Sequence, residues 1–352
     1  MQKKKVLIIQ SVIPHYRVPI FNALAKHVDL TVVYDKGDVP SDAEFETKKI
    51  EVFTVLKKLT VHKKSIVRLS RKFDVTIMML NRSYLSTHLL CGLRGKTKVI
   101  FWGIGVAAGY NTRFDSIPKT AEKLKHIIDR ADAALFYSSY PVEKYSKMGV
   151  HAEKLFVANN TVRVLPITEC ERNTILFVGS LYRAKKIFEL LECYQKAYSE
   201  CEDLPQMVII GDGDDAEPAR KWVAEKGLEN QILLPGAIYD EKLLSEYFSR
   251  AIVCISPDQA GLSVLKSFGY GVPFVTHKDA ITGGERLNIE NGVSGILLDS
   301  FDEITNVIKE CAQTPERYIS MGENAKKHYD ENRTVDHMAN GFLDAIKFVL
   351  NK

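Results

Sequence analysis

A chain of 352 residues is long enough for two domains of ordinary size, each with its own core. With 45% apolar and 26% charged residues it reads as globular, without a low-complexity tract, a short repeat or an apolar run near the roughly 20 residues that span a bilayer. The net charge of +4 hides a division: residues 1–165 hold 28 Lys and Arg against 14 Asp and Glu, a balance of +14, and residues 166–352 hold 20 against 30, a balance of −10.

The chain opens with "MQKKKVLIIQ", whose apolar core is too short for a secretory signal and suits a first β-strand behind a solubilising charge cluster. Further buried-strand patterns follow as "LTVVYD" (30–35), "VTIMML" (75–80), "KVIFWG" (98–103) and "AALFYS" (133–138). Continuous apolar runs of this length suit parallel strands buried on both faces. Between them, "SVIPHYRVP" (11–19) presents His15, Tyr16 and Arg17 at a strand-to-helix loop, where such residues bind phosphate or handle a proton. "WGIG" places Trp102 and Gly103 after the fourth pattern, where glycine permits close backbone approach. The basic charge concentrates in 57–73, 93–98 and 112–125. Aromatic residues are not interleaved as a base-stacking platform requires, so nucleic acid is not the expected partner. An anionic membrane surface is, with a solvated helix face as the plainer alternative.

A polar stretch at 159–174 separates this half from a second that repeats the plan with "TILFVG" (174–179), "QMVIIG" (206–211), "QILLPG" (231–236), "AIVCIS" (251–256), "PFVTH" (273–277) and "GILLD" (295–299). Helical segments such as "KKIFELLECYQKAYSE" fill the gaps. The alternation predicts an α/β protein of two doubly wound Rossmann-like domains, 1–165 and 166–334, facing each other across a cleft, with a last helix in 335–352 that crosses back to the first.

In the second half, Arg183, Lys185 and Lys186 crowd one helix start, where cations oppose the macrodipole and call for an anion. "GDG" (211–213) lacks the spacing of a dinucleotide fingerprint. The backbone of Gly236 and Ala237 follows another strand and could read a base edge. "PDQAGLSVLKSFGYGVPFV" (257–275) opens a helix at Gly261, Leu262 and Ser263, whose free N–H groups suit an anion. The six cysteines and nine histidines show no metal-ligand spacing, and cysteines inside apolar segments fit reduced thiols and a cytoplasmic protein.

The ordered set "VGSLYRAKK", "VIIGDGD", "ILLPGAIYDEKLLSEYFSRA", "SPDQAGLSVLKSFGYGVPFVT" and "NGVSGILLD" resembles the donor half of family 4 glycosyltransferases of GT-B fold. "IPHYRVPIFNAL" and "LFYSSYPVEKYSKMGVHAEKLFVANNTV" extend the resemblance into the first half. It implies a transferase that retains anomeric configuration and moves a sugar from a nucleotide-diphosphate sugar to a glycan or lipid-linked acceptor in cell-surface polysaccharide synthesis. The co-substrate would be the only small molecule required, with no essential metal. Arg183 and Lys185 would neutralise the diphosphate, although the arginine usual after the strand-end glycine is Ser180 here. The family's paired glutamates, eight positions apart, correspond to Asp258 and Lys266. Asp258 would lie near the transferred sugar. Lys266, with three donors and no acceptor, cannot hold ribose hydroxyls as a glutamate does and would add a cation near the diphosphate. His15 is the candidate base, and Arg17, Trp102 and Gly103 fall on the acceptor side. Location on the inner face of the membrane follows from the lipid-linked acceptor. A sugar-nucleotide 2-epimerase and a non-catalytic two-lobed ligand-binding protein share the gross architecture and are the alternatives.

Overall fold

The computed structural model describes residues 3–55, 59–63, 65–109, 112–168, 170–201 and 203–352. In chain order the first part runs β1 (Lys5–Ile9), α1 (Val18–Ala25), β2 (Asp29–Tyr34), β3 (Glu46–Lys49), β4 (Val52–Val55), β5 (Leu59–His62), α2 (Ser65–Ser70), β6 (Val75–Met79), α3 (Leu85–Leu93), β7 (Lys98–Gly103), α4 (Pro118–Arg130), β8 (Ala133–Phe136), α5 (Ser139–Lys147) and β9 (Leu155–Val157). The remainder runs β10 (Thr174–Val178), α6 (Ile187–Glu200), β11 (Gln206–Ile210), α7 (Ala216–Glu225), β12 (Ile232–Gly236), α8 (Glu241–Arg250), β13 (Ala251–Ile255), α9 (Leu262–Gly269), β14 (Phe274–His277), β15 (Gly295–Leu298), α10 (Glu303–Gln313), α11 (Pro315–Asn332) and α12 (Val335–Leu350).

Two compact units result. The first comprises residues 1–107, 115–162 and 334–352, and the second 108–114 and 163–333. The first unit holds a parallel seven-stranded sheet in the order β3-β2-β1-β6-β7-β8-β9. Its interior strands are apolar on both faces, and helices cover both, which is why those runs read as continuous rather than alternating. The edge strand β3, "ETKK", is polar and charged, a common way to keep a sheet edge from pairing further. β4 and β5 form a separate antiparallel hairpin. α12 packs on this unit through Met338, Phe342, Ala345 and Ile346, and a Cβ on Gly341 would collide with the Val157 carbonyl oxygen.

The second unit is a parallel six-stranded sheet in the order β12-β11-β10-β13-β14-β15. Pro235 is tolerated because β12 is an edge strand. Asp240 caps α8, its side chain accepting the Leu243 N–H at 2.7 Å. In each sheet the strand order reverses once, beside β1 and β6 in the first and beside β10 and β13 in the second. Loops at such a point diverge and leave room at the carboxyl ends of the strands. Among the described residues no helix is long and apolar enough to cross a membrane.

Candidate functional site

At the reversal point of the second unit, the loop after β10 turns through residues 183–185 into α6. Lys185 is 7% exposed, and its Nζ sits 3.0 Å from where a Cβ on Gly179 would stand. Burial pushes its ammonium down to about 8. Among the described residues no carboxylate pairs with it. The neighbouring cations are placed differently: Lys186 Nζ donates to Glu189 Oε1 at 2.6 Å, and Arg183 is exposed. Lys186 also holds a left-handed conformation, φ 59°, rare outside glycine. So of the three cations expected to need an anion, Lys185 is buried and uncompensated.

The "GDG" glycines serve this loop. A Cβ on Gly211 would collide with the Gly179 carbonyl oxygen, and one on Gly213 with that of Leu181. Leu181 N–H donates to Asp212 O at 2.8 Å, locking the two loops together. The glycines therefore act in packing.

From the adjacent strand, the loop after β13 carries Asp258 and the start of α9. Gly261 caps α9, and a Cβ there would meet open space. The N–H groups of Leu262 and Ser263 fall in the first turn, where no intrahelical acceptor exists. Tyr182 O–H donates to Gln259 Oε1 at 2.7 Å, tying this loop to the one that bears Lys185. Asp258 is 7% exposed, and burial raises its carboxyl pKa against the opposing pull of Arg113, His277 and Lys186. Its Oδ1 lies 3.6 Å from Arg113 Nη1. The buried Lys185 ammonium and the open N–H groups at the start of α9 lie on neighbouring loops, donors of the kind an anion accepts from.

Lys266 falls in the last turn of α9. Its ammonium pairs with Glu241, at the start of α8, and donates to Arg163 O at 3.4 Å. The compensating carboxylate is thus Glu241, at a position the sequence assigns to a cation near the diphosphate. Gly236 ends β12 with φ 89°, and Ala237 is exposed beyond it.

In the first unit a cavity of about 320 Å³ opens at the carboxyl ends of β1, β6, β7 and β8. Gln10, Ser11, Tyr16, Arg17, His62, Asn81, Tyr84, Trp102 and Tyr137 line it. Arg17 is 5% exposed, its guanidinium 5.3, 5.1 and 5.0 Å from the ring centroids of Tyr16, Trp102 and Tyr137. Its Nη1 meets Met338 Sδ at 3.4 Å. His62 is stacked on Tyr84, its Nδ1 2.9 Å from Ser86 Oγ, and burial lowers its pKa despite Asp35. Among the described residues, three buried polar atoms of this wall have no partner: Gln10 Nε2, His62 Nε2 and Trp102 Nε1.

Arg17 and Trp102 are therefore brought together. His15 is exposed, its ring edge-on to Tyr16, and lies outside the cavity lining, as does Gly103 at the end of β7. His62 was missed because it sits inside the basic run 57–73, whose strand "LTVH" was masked by its lysines. Of that run, Lys57, Lys58 and Lys64 lie outside the described residues. Two charges of the 112–125 segment pair with residues beyond it: Lys125 with Asp129, and Asp115 with Lys144.

Residues 167–328 match the model of the family described as Glycosyl transferases group 1. The chain is similar to the alpha-D-kanosaminyltransferase of Streptomyces kanamyceticus, 24% identical over 231 residues covering 60% of this chain and 58% of that protein. It is 26% identical to the O-antigen chain mannosyltransferase C of Escherichia coli over 181 residues, 49% of this chain and 46% of that one. The chain spans about half the length of the curated relatives it matches. Among solved structures, Anabaena HepE in complex with UDP and glucose aligns with a TM-score of 0.71 at 13% identity, over 98% of this chain and 99% of that one. The whole-chain alignment shows the GT-B fold.

Proposed function

We propose that this chain is a glycosyltransferase that moves a sugar from a nucleotide-diphosphate sugar to a glycan or lipid-linked acceptor in cell-surface polysaccharide synthesis, with retention of anomeric configuration. The observation that carries the proposal is Lys185, a buried ammonium without a carboxylate among the described residues, at the point where the second sheet reverses. A diphosphate supplies the missing charge, and the N–H groups of Gly261, Leu262 and Ser263 supply further donors from the adjacent loop. These fixed dipoles and cations, with exposed Arg183, stabilise the leaving diphosphate as the glycosidic bond breaks. Gly236 and Ala237 offer backbone groups to the base, and Lys266 acts by holding Glu241 near the ribose. Asp258 stands by the transferred sugar.

UDP in Anabaena HepE, and UDP with GlcNAc in the pneumococcal O-GlcNAc transferase GtfA, support a nucleotide-sugar partner. The acceptor is assigned to the first unit, at the cavity of Arg17 and Trp102, with His15 available at its margin. Docking on anionic membrane from the inner face is supported by the surplus of basic residues and by exposed apolar side chains, Phe53 and Val55 on β4 and Leu89 and Leu93 on α3, with Lys63 Nζ 5.8 Å from the Phe53 ring centroid.

The test is calorimetry with uridine, guanosine and thymidine diphosphates, followed by hydrolysis assays on the matching sugar nucleotides. One diphosphate binding saturably, with slow release of it from its sugar nucleotide, is expected. No binding by any of the three would overturn the proposal.

A further inference from the structure

Arg17 poses the same problem in the first unit that Lys185 poses in the second, in a sharper form. A buried lysine can shed its proton, whereas a guanidinium stays charged at any pH a protein meets. Arg17 is 5% exposed, and among the described residues it has no carboxylate partner. The surrounding rings attract the cation through their π faces but carry no countercharge. Among the described residues its guanidinium donates one hydrogen bond, to the Met338 sulfur, a weak acceptor that leaves most of its five N–H donors for a guest. Among the described residues no Asp or Glu lines the cavity; Asp35 stands behind it, accepting from Ser11 Oγ at 2.9 Å and Tyr84 O–H at 3.4 Å.

The other walls narrow the ligand. Among the described residues, Gln10 Nε2 and Trp102 Nε1 are buried donors without acceptors, and His62 Nε2 is equally unmet. Buried polar atoms left in this state are costly unless a guest completes them. Between them stand Tyr16, Tyr84 and Trp102, flat apolar surfaces of the kind that take the C–H face of a sugar ring. The volume, about 320 Å³, lies at the small end of ligand sites.

We propose that this cavity binds the acceptor through a sugar ring that carries an anion, a carboxylate or a phosphate, paired with the Arg17 guanidinium. The planar fork of Arg17 takes both oxygens of such a group, while Gln10 and Trp102 donate to ring hydroxyls after small side-chain rotations. A neutral sugar would leave the guanidinium as uncompensated as it is now. The inference extends the assignment of the acceptor to the first unit, and it makes charge the basis of acceptor choice.

The experiment uses the full chain with its two tryptophans, Trp102 and Trp222, labelled with ¹⁵N and followed by their indole N–H resonances. The probes are glucuronate, glucose 6-phosphate, neutral glucose and inorganic phosphate, each titrated separately, with UDP binding measured in parallel. At least one anionic sugar should shift the Trp102 resonance saturably while Trp222 stays put, with glucose weaker by about tenfold or more. Glucuronate alone would identify a carboxylate, and glucose 6-phosphate alone a phosphate. Arg17→Gln should abolish the preference for anionic sugar while UDP still binds. If that variant does not fold, Gln10→Met in the parent background should weaken both sugars and keep the preference. Equal binding of glucose and the anionic sugars, no Trp102 shift with either anionic sugar, or inorganic phosphate binding as tightly as glucose 6-phosphate would each overturn the proposal. Failure of UDP to bind the parent would strike instead at the glycosyltransferase assignment, independently of these results.

Discussion

Replacing Lys185 by Met should make the protein more stable and a poorer ligand binder at the same time. Burial lowers the ammonium from 10.5 to about 8. Because the folded pKa lies below the unfolded one, the unfolded chain binds more protons between pH 8 and 10.5. Stability of the parent therefore rises with pH across that window and is flat below it. The buried charge thus costs roughly 3 kcal/mol at pH 7 relative to the neutral amine, from a shift of about 2.5 pKa units. Lys185→Met removes the group, so its stability advantage in urea melts should be largest at pH 7 and fade as the pH approaches 10.5. Ligand binding runs the other way. A diphosphate favours the charged amine, so above pH 8 its binding takes up a proton, and affinity should fall by up to about tenfold per pH unit there. The terminal phosphate ionises near pH 6 and does not obscure this break. At pH 7 the variant should lose about 1.5–3 kcal/mol of affinity, the value of a charge-assisted hydrogen bond. Calorimetry in buffers of different ionisation enthalpy reads the proton uptake directly. A variant that is less stable than the parent yet binds the diphosphate equally well, with no proton uptake by the parent at pH 9, would refute the reasoning.

Lys266→Met and Glu241→Gln should each cost about 0.5–1 kcal/mol in urea melts and show nearly that coupling in a double-mutant cycle, because both break one pair whose carboxylate end is open to solvent; additive effects would mean that the pair is not formed in solution. Gly211→Ala should cost about 3 kcal/mol or more and impair diphosphate binding, since the new Cβ meets the Gly179 carbonyl oxygen in the loop that presents Lys185; a stability change under about 0.5 kcal/mol would contradict the packing role assigned to that glycine. Sedimentation with vesicles of anionic lipid should show binding that falls steeply with added salt; binding insensitive to salt, or none at low salt, would leave the basic residues as a solvated surface.

The interior strands were legible because parallel strands buried on both faces must be apolar throughout, as "VLII" and "AIVCI" are. β3 was not, since an edge strand such as "ETKK" needs no apolar face, and β5 was hidden among lysines. At the site, Lys185 could be suspected from a crowd of cations at one helix start, a purely local conflict with the helix dipole. What separated it from Lys186 and Arg183 was burial, which only the packed loop decides. Long-range partners were out of reach for the same reason. Glu241 lies 25 residues from Lys266 in sequence, and Met338 lies 321 from Arg17. Local pattern carries no information about which distant side chain will meet a given cation. Conversely, the glycines of "GDG" carried a weak ligand signal and turned out to serve loop-on-loop packing, a use that requires the neighbouring carbonyls to be known.

The central claim is that the second unit holds a nucleoside diphosphate at the meeting of the loops after β10 and β13. A crystal structure of the chain with the tightest-binding of the three diphosphates tests it most directly. The phosphates should lie within hydrogen-bond distance of Lys185 Nζ and of the N–H groups of Gly261, Leu262 and Ser263. A nucleotide bound elsewhere on the chain, with Lys185 still uncompensated, would contradict the account.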